Sequence, residues 1–207
     1  MNRLTSLALG VFALFFVGWL ALVAQPYLAF ASLKPDKDPN TNALSPPNVP
    51  GTAKQGYQVY AANGCVYCHS QYVRDKAEGS DIERRWGKRR TVARDYLNDS
   101  RVFLGTSRFG PDLTNVGVRH TDAQWFYQYL YDPRSVDPQS TMPSYRWLFD
   151  EVKVSGEPAV NALKVTGEDA VPPGYQVVPT PEAKKIVAYL LAMKRDYPLP
   201  EAPEPQE

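Results

Sequence analysis

The chain has 207 residues, 23 Lys and Arg against 22 Asp and Glu, for a formal net charge of +1. That length leaves room for one domain of ordinary size plus extensions, and so even a charge balance excludes a nucleic-acid binder, which needs a basic excess.

From Leu4 to Leu33 no residue is charged, and the apolar stretch Leu7 to Ala24 spans about 27 Å as a helix, roughly one hydrocarbon thickness. Ala29-Phe30-Ala31 before Ser32 resembles a signal cleavage site, but the apolar run is longer than a signal's ~7–15-residue core, which favours a retained anchor, residues 1–34. Arg3 precedes the span while Lys34, Asp36, Lys37 and Asp38 follow it, so the positive-inside rule puts the N-terminus in the cytoplasm and exports the rest. Residues 35–52 carry five prolines and little apolar content, the composition of a tether.

The foldable unit is residues 53–196. Lys54 to Ala62 reads as a short helix presenting Tyr57 and Tyr60, and it runs into Cys65-Val66-Tyr67-Cys68-His69. C-x-x-C-H is the attachment signature of c-type haem: two thiols on one turn add to the two vinyl groups of a porphyrin edge, and the adjacent His69 faces the iron. Competing readings fit less well. A thioredoxin-like pair needs a βαβ scaffold, a zinc site needs four ligands from a chain with only two Cys and two His, and a disulfide across two residues is strained and leaves His69 unexplained. Haem c is attached outside the cytoplasmic membrane, in agreement with export.

Residues 70–108 are more chain than a compact haem domain needs, and the stretch from Arg74 through Arg108 contains ten basic and six acidic residues. A solvated charged loop is the plain account; the functional one, preferred for so long an insertion, is that arginines pair with haem propionates or dock a neighbouring subunit. Gly110-Pro111-Asp112-Leu113 follows, where a rigid carbonyl beside proline suits the second N–H of a ligating imidazole. Thr121-Asp122-Ala123-Gln124 matches a capping box opening a helix that Pro133 stops. Met142, held extended by Pro143, presents its sulfur from a loop as the second axial ligand, whereas Met193 sits on a helical apolar stripe as core filler. His120 is the residual alternative ligand. Residues 152–179 read as a Gly/Pro-punctuated loop, Thr180-Pro181-Glu182 caps a last helix, and the Pro/Glu-rich tail 197–207 either frays or straps onto a partner.

The GPDL segment resembles the GPxL loop of class I cytochromes c, which implies that the Pro111 carbonyl accepts from the haem histidine and that Leu113 packs on the porphyrin. Gly56 and Tyr60 resemble the family's first helix and imply a meeting with the last helix near Tyr189. The fold class expected is mainly α: one N-terminal transmembrane helix plus a class I cytochrome c-like helical domain with long loop insertions. GCVYCHSQ from Gly64, then Arg74, GPDLTNVGVR and DPRSVDPQSTMPSYRWL narrow the likeness to the mono-haem subunit II of cbb3-type cytochrome c oxidases.

That resemblance implies one covalent haem c on the outer, periplasmic face of a bacterial inner membrane. It also implies single-electron transfer to a haem–copper catalytic subunit, with another c-type cytochrome as donor and membrane lipid around the anchor. A free-standing membrane-anchored carrier is the alternative, and a haem sensor or peroxidase-like enzyme, which needs an open sixth site, is the third. No nucleophile, acid/base dyad or substrate-pocket signature marks an independent catalytic site.

Overall fold

A computed structural model describes residues 2–38, 41–166 and 170–205. The architecture is mainly helical, as expected. Arg3–Phe30 is the one helix among the described residues long and apolar enough to cross a membrane, and none of its most apolar window is buried against the rest of the chain. Its first turn is capped by Asn2, and its continuity is kept through a π turn at Leu20–Ala24 just ahead of Pro26. A wider turn there absorbs the hydrogen bond and the space that proline denies to a regular helix.

The domain is organised on the crossing of helix Gly51–Ala62 with the last helix, Pro181–Ala192. Gly56 permits the crossing, since a Cβ there would stand 1.9 Å from the Lys185 carbonyl oxygen and 2.8 Å from Tyr189 Cβ. Tyr60 and Tyr57 then reach Tyr189 with ring centroids 5.4 and 6.0 Å apart, the meeting the resemblance implied. Thr180 accepts from the Ala183 N–H and Pro181 opens the last helix, as the sequence indicates. At the other helix the cap differs from expectation: Asp122, not Thr121, accepts from the Gln124 N–H, and the Gln124 side chain donates to the Ala162 carbonyl instead of closing a capping box. A carboxylate beside the helix N-terminus outcompetes a hydroxyl because it also meets the positive end of the helix dipole.

The 152–179 stretch, read as loop, begins and ends in an antiparallel hairpin pairing Phe149–Lys153 with Tyr175–Pro179. Val177 and Leu163 bury themselves in the core from this extension.

The charged insertion has little regular structure beyond one turn at Ala93–Tyr96, and it is pinned by buried ion pairs. Asp81, wholly buried, accepts from Arg74 and Arg108. Arg89 and Asp95, each 2% exposed, form a two-pronged pair at 2.8 and 3.0 Å. The same Arg89 donates to the carbonyls of Arg195 and Tyr197, while Arg94 pairs with Glu201 and Arg195 with Asp99. Rather than fraying, residues 197–202 lie on the chain's own insertion, burying Leu199 and Ala202. The stretch expected to be a tether is also engaged: Arg94 donates to the Lys34 carbonyl, Asn98 to the Pro47 carbonyl at 3.0 Å, and Pro46 is buried.

Candidate haem site

Asn63 closes the first domain helix and Gly64, at φ +70°, turns the chain sharply, a left-handed geometry that favours glycine. The following 3₁₀ turn, Cys65–Tyr67, is closed by Cys68 and His69 N–H groups donating to the Cys65 carbonyl at 3.2 and 3.0 Å. Both thiols and the imidazole thus leave one turn of backbone. Neither cysteine is in a disulfide; Cys65 is buried and Cys68 exposed. Burial pushes the Cys65 thiol up to about 11, with hydrogen bonds from its own backbone and from Tyr145 opposing, so it is a protonated thiol at neutral pH.

His69 stands on Gly110, where a Cβ would fall 2.2 Å from its Cε1 and 2.6 Å from its Nδ1. Its Nδ1 lies 2.8 Å from the Pro111 carbonyl oxygen. A carbonyl only accepts, so Nδ1 carries the proton and Nε2 is left with the lone pair a metal requires. Burial lowers the pKa of the ring against the opposing pull of that carbonyl, favouring the neutral form that ligates.

The loop bearing Pro111 is stitched to the histidine's strand of chain. Gly110 N–H donates to the Cys68 carbonyl and Leu113 N–H to the Ser70 carbonyl, at 2.9 and 2.8 Å. Asp112, wholly buried, accepts from the Ser70 hydroxyl at 2.6 Å and from the Tyr72 and Thr114 N–H groups at 2.8 Å each. Sequence reasoning assigned no role to Asp112 or Gly110, although both lie inside the GPDL motif; apart from Thr114, the partners of Asp112 lie 42 and 40 residues back in the chain, at Ser70 and Tyr72.

Cys65, Cys68, His69, Leu113 and Met142 all line one cavity of about 660 Å³, within the ~300–1,000 Å³ usual for small-molecule and cofactor sites. Met142 is half-buried against the core, with its N–H donating to the Ser140 hydroxyl at 3.3 Å, whereas Met193 is buried in the core and absent from the cavity wall. His120 also lines the cavity, its ring stacked flat on Trp125 at 3.6 Å. Arg119 lines it too, half-buried, donating to the Trp86 and Asp112 carbonyls and making no ion pair among the described residues. Burial lowers its pKa, outweighing the pull of Asp112 and Asp196. Of the insertion's arginines, Arg74, Arg89, Arg94 and Arg108 are paired with Asp81, Asp95 and Glu201.

The residues fit a haem. An apolar cavity presents two free thiols, an imidazole of fixed tautomer and a thioether, and no group of three or more His, Cys, Asp or Glu able to hold a metal ion occurs among the described residues. No curated protein matches the chain. The family model for the cytochrome c oxidase mono-haem subunit, FixO, matches residues 34–190. With that match over most of its length, and with the anchor helix and helical domain expected of subunit II of a cbb3-type oxidase, the chain belongs to the mono-haem FixO family of cytochrome c oxidase subunits.

Proposed function

We propose that the chain carries single electrons to the haem–copper catalytic subunit of a cbb3-type oxidase through one covalent haem c. Cys65 and Cys68 supply the thioethers, His69 and Met142 the axial ligands, Pro111 the acceptor that orients His69, and Leu113 a packing surface. The observation that carries this reading is the gathering of both thiols, the imidazole and the Met142 side chain around one cavity, with the His69 proton held on Nδ1 by Pro111. The bound group supplies a one-electron iron couple. The protein's part is to keep His69 neutral and oriented, to exclude water with apolar walls, and to fill the sixth position with a soft sulfur, which raises the reduction potential and blocks ligand chemistry.

His120 is set aside as the ligand because its ring is already held face to face with Trp125. Arg119, a half-buried cation on the cavity wall without a carboxylate partner among the described residues, takes a haem propionate. In this reading residues 1–34 anchor the chain in a bacterial inner membrane, 35–52 connect, 53–196 form the haem domain on the periplasmic face, and 197–207 form the tail. The electron donor is another c-type cytochrome, and membrane lipid surrounds the anchor.

Two measurements test it. In mild detergent the chain should co-migrate with a large polytopic haem protein; a solitary haem c band rejects the subunit role and favours a free-standing carrier. Met142→Ala should keep covalent pigment yet lose the thioether charge-transfer band and open the iron to carbon monoxide. An unchanged spectrum rejects Met142 as ligand.

A further inference from the structure

Met142 comes from a stretch, between Val136 and Arg146, that forms no helix or strand. A thioether is a neutral, soft donor that suits ferrous iron better than the harder ferric ion, so how firmly the chain presents it decides how well it holds the sixth position. The helix Ala123–Tyr131 grips this loop on both sides of Met142 with two consecutive residues. The Leu130 carbonyl accepts from the Tyr145 N–H at 2.8 Å. The Tyr129 hydroxyl lies 3.2 Å from the Ser140 hydroxyl, which in turn accepts from the Met142 N–H at 3.3 Å.

Both ends of that relay are fixed. The Ser140 N–H donates to the Asp137 carbonyl at 2.9 Å, and the Asp137 carboxylate accepts from the Gln139 N–H at 3.1 Å, so the turn leading to Met142 is closed on itself. The Tyr129 ring stacks on Trp125 at 5.0 Å, and His120 covers Trp125 at 3.6 Å. His120, set aside as a ligand, thus stands at the base of the stack that holds Tyr129. Tyr129, Ser140 and Met142 all line the cavity. One turn along the same helix, Gln128 donates to the Ser135 hydroxyl at 3.0 Å, and Ser135 donates to the Asp132 carbonyl at 2.7 Å. That is a fastening of the same kind whose bonds do not lead to Met142.

Resting on the Met142 ligation proposed above, we infer that Tyr129 and Ser140 are positioning residues for the sixth ligand: the Tyr129 hydroxyl fixes the Ser140 hydroxyl, which fixes the Met142 backbone and keeps the thioether turned to the cavity. Neither residue touches the iron. Each works by removing loop conformations in which the sulfur is withdrawn, and a competing ligand gains access in proportion to those conformations. One hydrogen bond of this kind shifts such an equilibrium by roughly 3–10-fold.

The test titrates the ferric, haem-loaded full chain with cyanide, which must displace the sulfur to bind. Tyr129→Phe and Ser140→Ala should each bind it ~3–10-fold more tightly, with a weaker thioether-to-iron charge-transfer band, and Ser140→Thr, which keeps the hydroxyl, should stay within ~2-fold of the unaltered protein. The Tyr129→Phe, Ser140→Ala double variant should go no further than Ser140→Ala alone, because the Tyr129 hydroxyl acts through Ser140. Ser135→Ala should leave affinity and band alone whatever it does to the melting temperature. Unchanged affinity in Tyr129→Phe and Ser140→Ala, additive effects in the double variant, no recovery in Ser140→Thr, or an equal effect from Ser135→Ala overturns the inference. Failure of the Met142 reading itself is distinguishable, because then the unaltered protein lacks the charge-transfer band and Met142→Ala changes nothing.

Discussion

The haem cavity and the charged insertion solve opposite problems with opposite materials. Around the cavity, position is set by close approach and by neutral hydrogen bonds: Gly110 under His69, the Pro111 carbonyl on Nδ1, backbone N–H groups on Asp112. In the insertion it is set by buried ion pairs, Arg89 with Asp95 and two arginines on Asp81, in a stretch that has almost no helix to hold it. The difference teaches that Arg74, Arg89, Arg94 and Arg108 serve within the chain, as fasteners of the insertion, the tail and the connector, while Arg84, Arg85, Arg90 and Arg101 stay exposed.

If that division holds, damage to the fasteners should appear in stability and damage to the cavity wall in the spectrum. The largest effect is expected from Arg89→Ala, which strands the buried Asp95 carboxylate and releases the tail. Breaking one side of such a pair costs about 3–5 kcal/mol, seen as a lower denaturation midpoint with the haem spectrum of the folded fraction unchanged. A spectral change at Arg89 would break the comparison.

Asp81→Asn comes next, with a smaller loss because Arg74 and Arg108 are partly exposed. Its pH dependence is specific. Burial alone would raise the Asp81 carboxyl, but the Arg74 and Arg108 guanidinium groups outweigh it and hold it at about 2. A depressed carboxyl contributes stability that is fully present above its unfolded value of about 3.9 and is lost as pH falls through the folded one. The gap in melting temperature between Asp81→Asn and the unaltered protein should be full above pH ~5 and close toward pH ~2.

Gly110→Ala sharpens the comparison from the other side. Its Cβ must displace the His69 ring, at an overpacking cost of about 1–3 kcal/mol, and the shift should be read in the haem absorption and midpoint potential. Thr180→Ala, off the cavity wall, should cost about 1 kcal/mol by removing a cap and leave both spectrum and potential alone.

Legibility follows the same division. Cys65, Cys68 and His69 could be read as one group because C-x-x-C-H keeps them on one turn of chain, and Thr180-Pro181 because capping is local. The insertion's pairings could not, since Arg94 and Glu201 are 107 residues apart and sequence carries no mark of which carboxylate an arginine meets. The tail and connector looked unstructured by composition, yet they are held largely through their carbonyls, at Tyr197, Lys34 and Pro47, which every composition supplies. The hairpin Phe149–Lys153 with Tyr175–Pro179 was missed because its strands pair across a long connection. Arg119 had a signal available: it lies only six residues after Leu113, on the short helix Val116–Arg119 that crosses the last helix at Gly117.

The most direct test of the central claim is the intact mass of the purified protein taken together with a pyridine haemochrome spectrum, after expression with haem-attachment machinery. The account predicts the polypeptide plus a single haem, with the pigment staying on the protein in acidified acetone. A mass equal to the bare polypeptide, or pigment that extracts into the solvent, contradicts it.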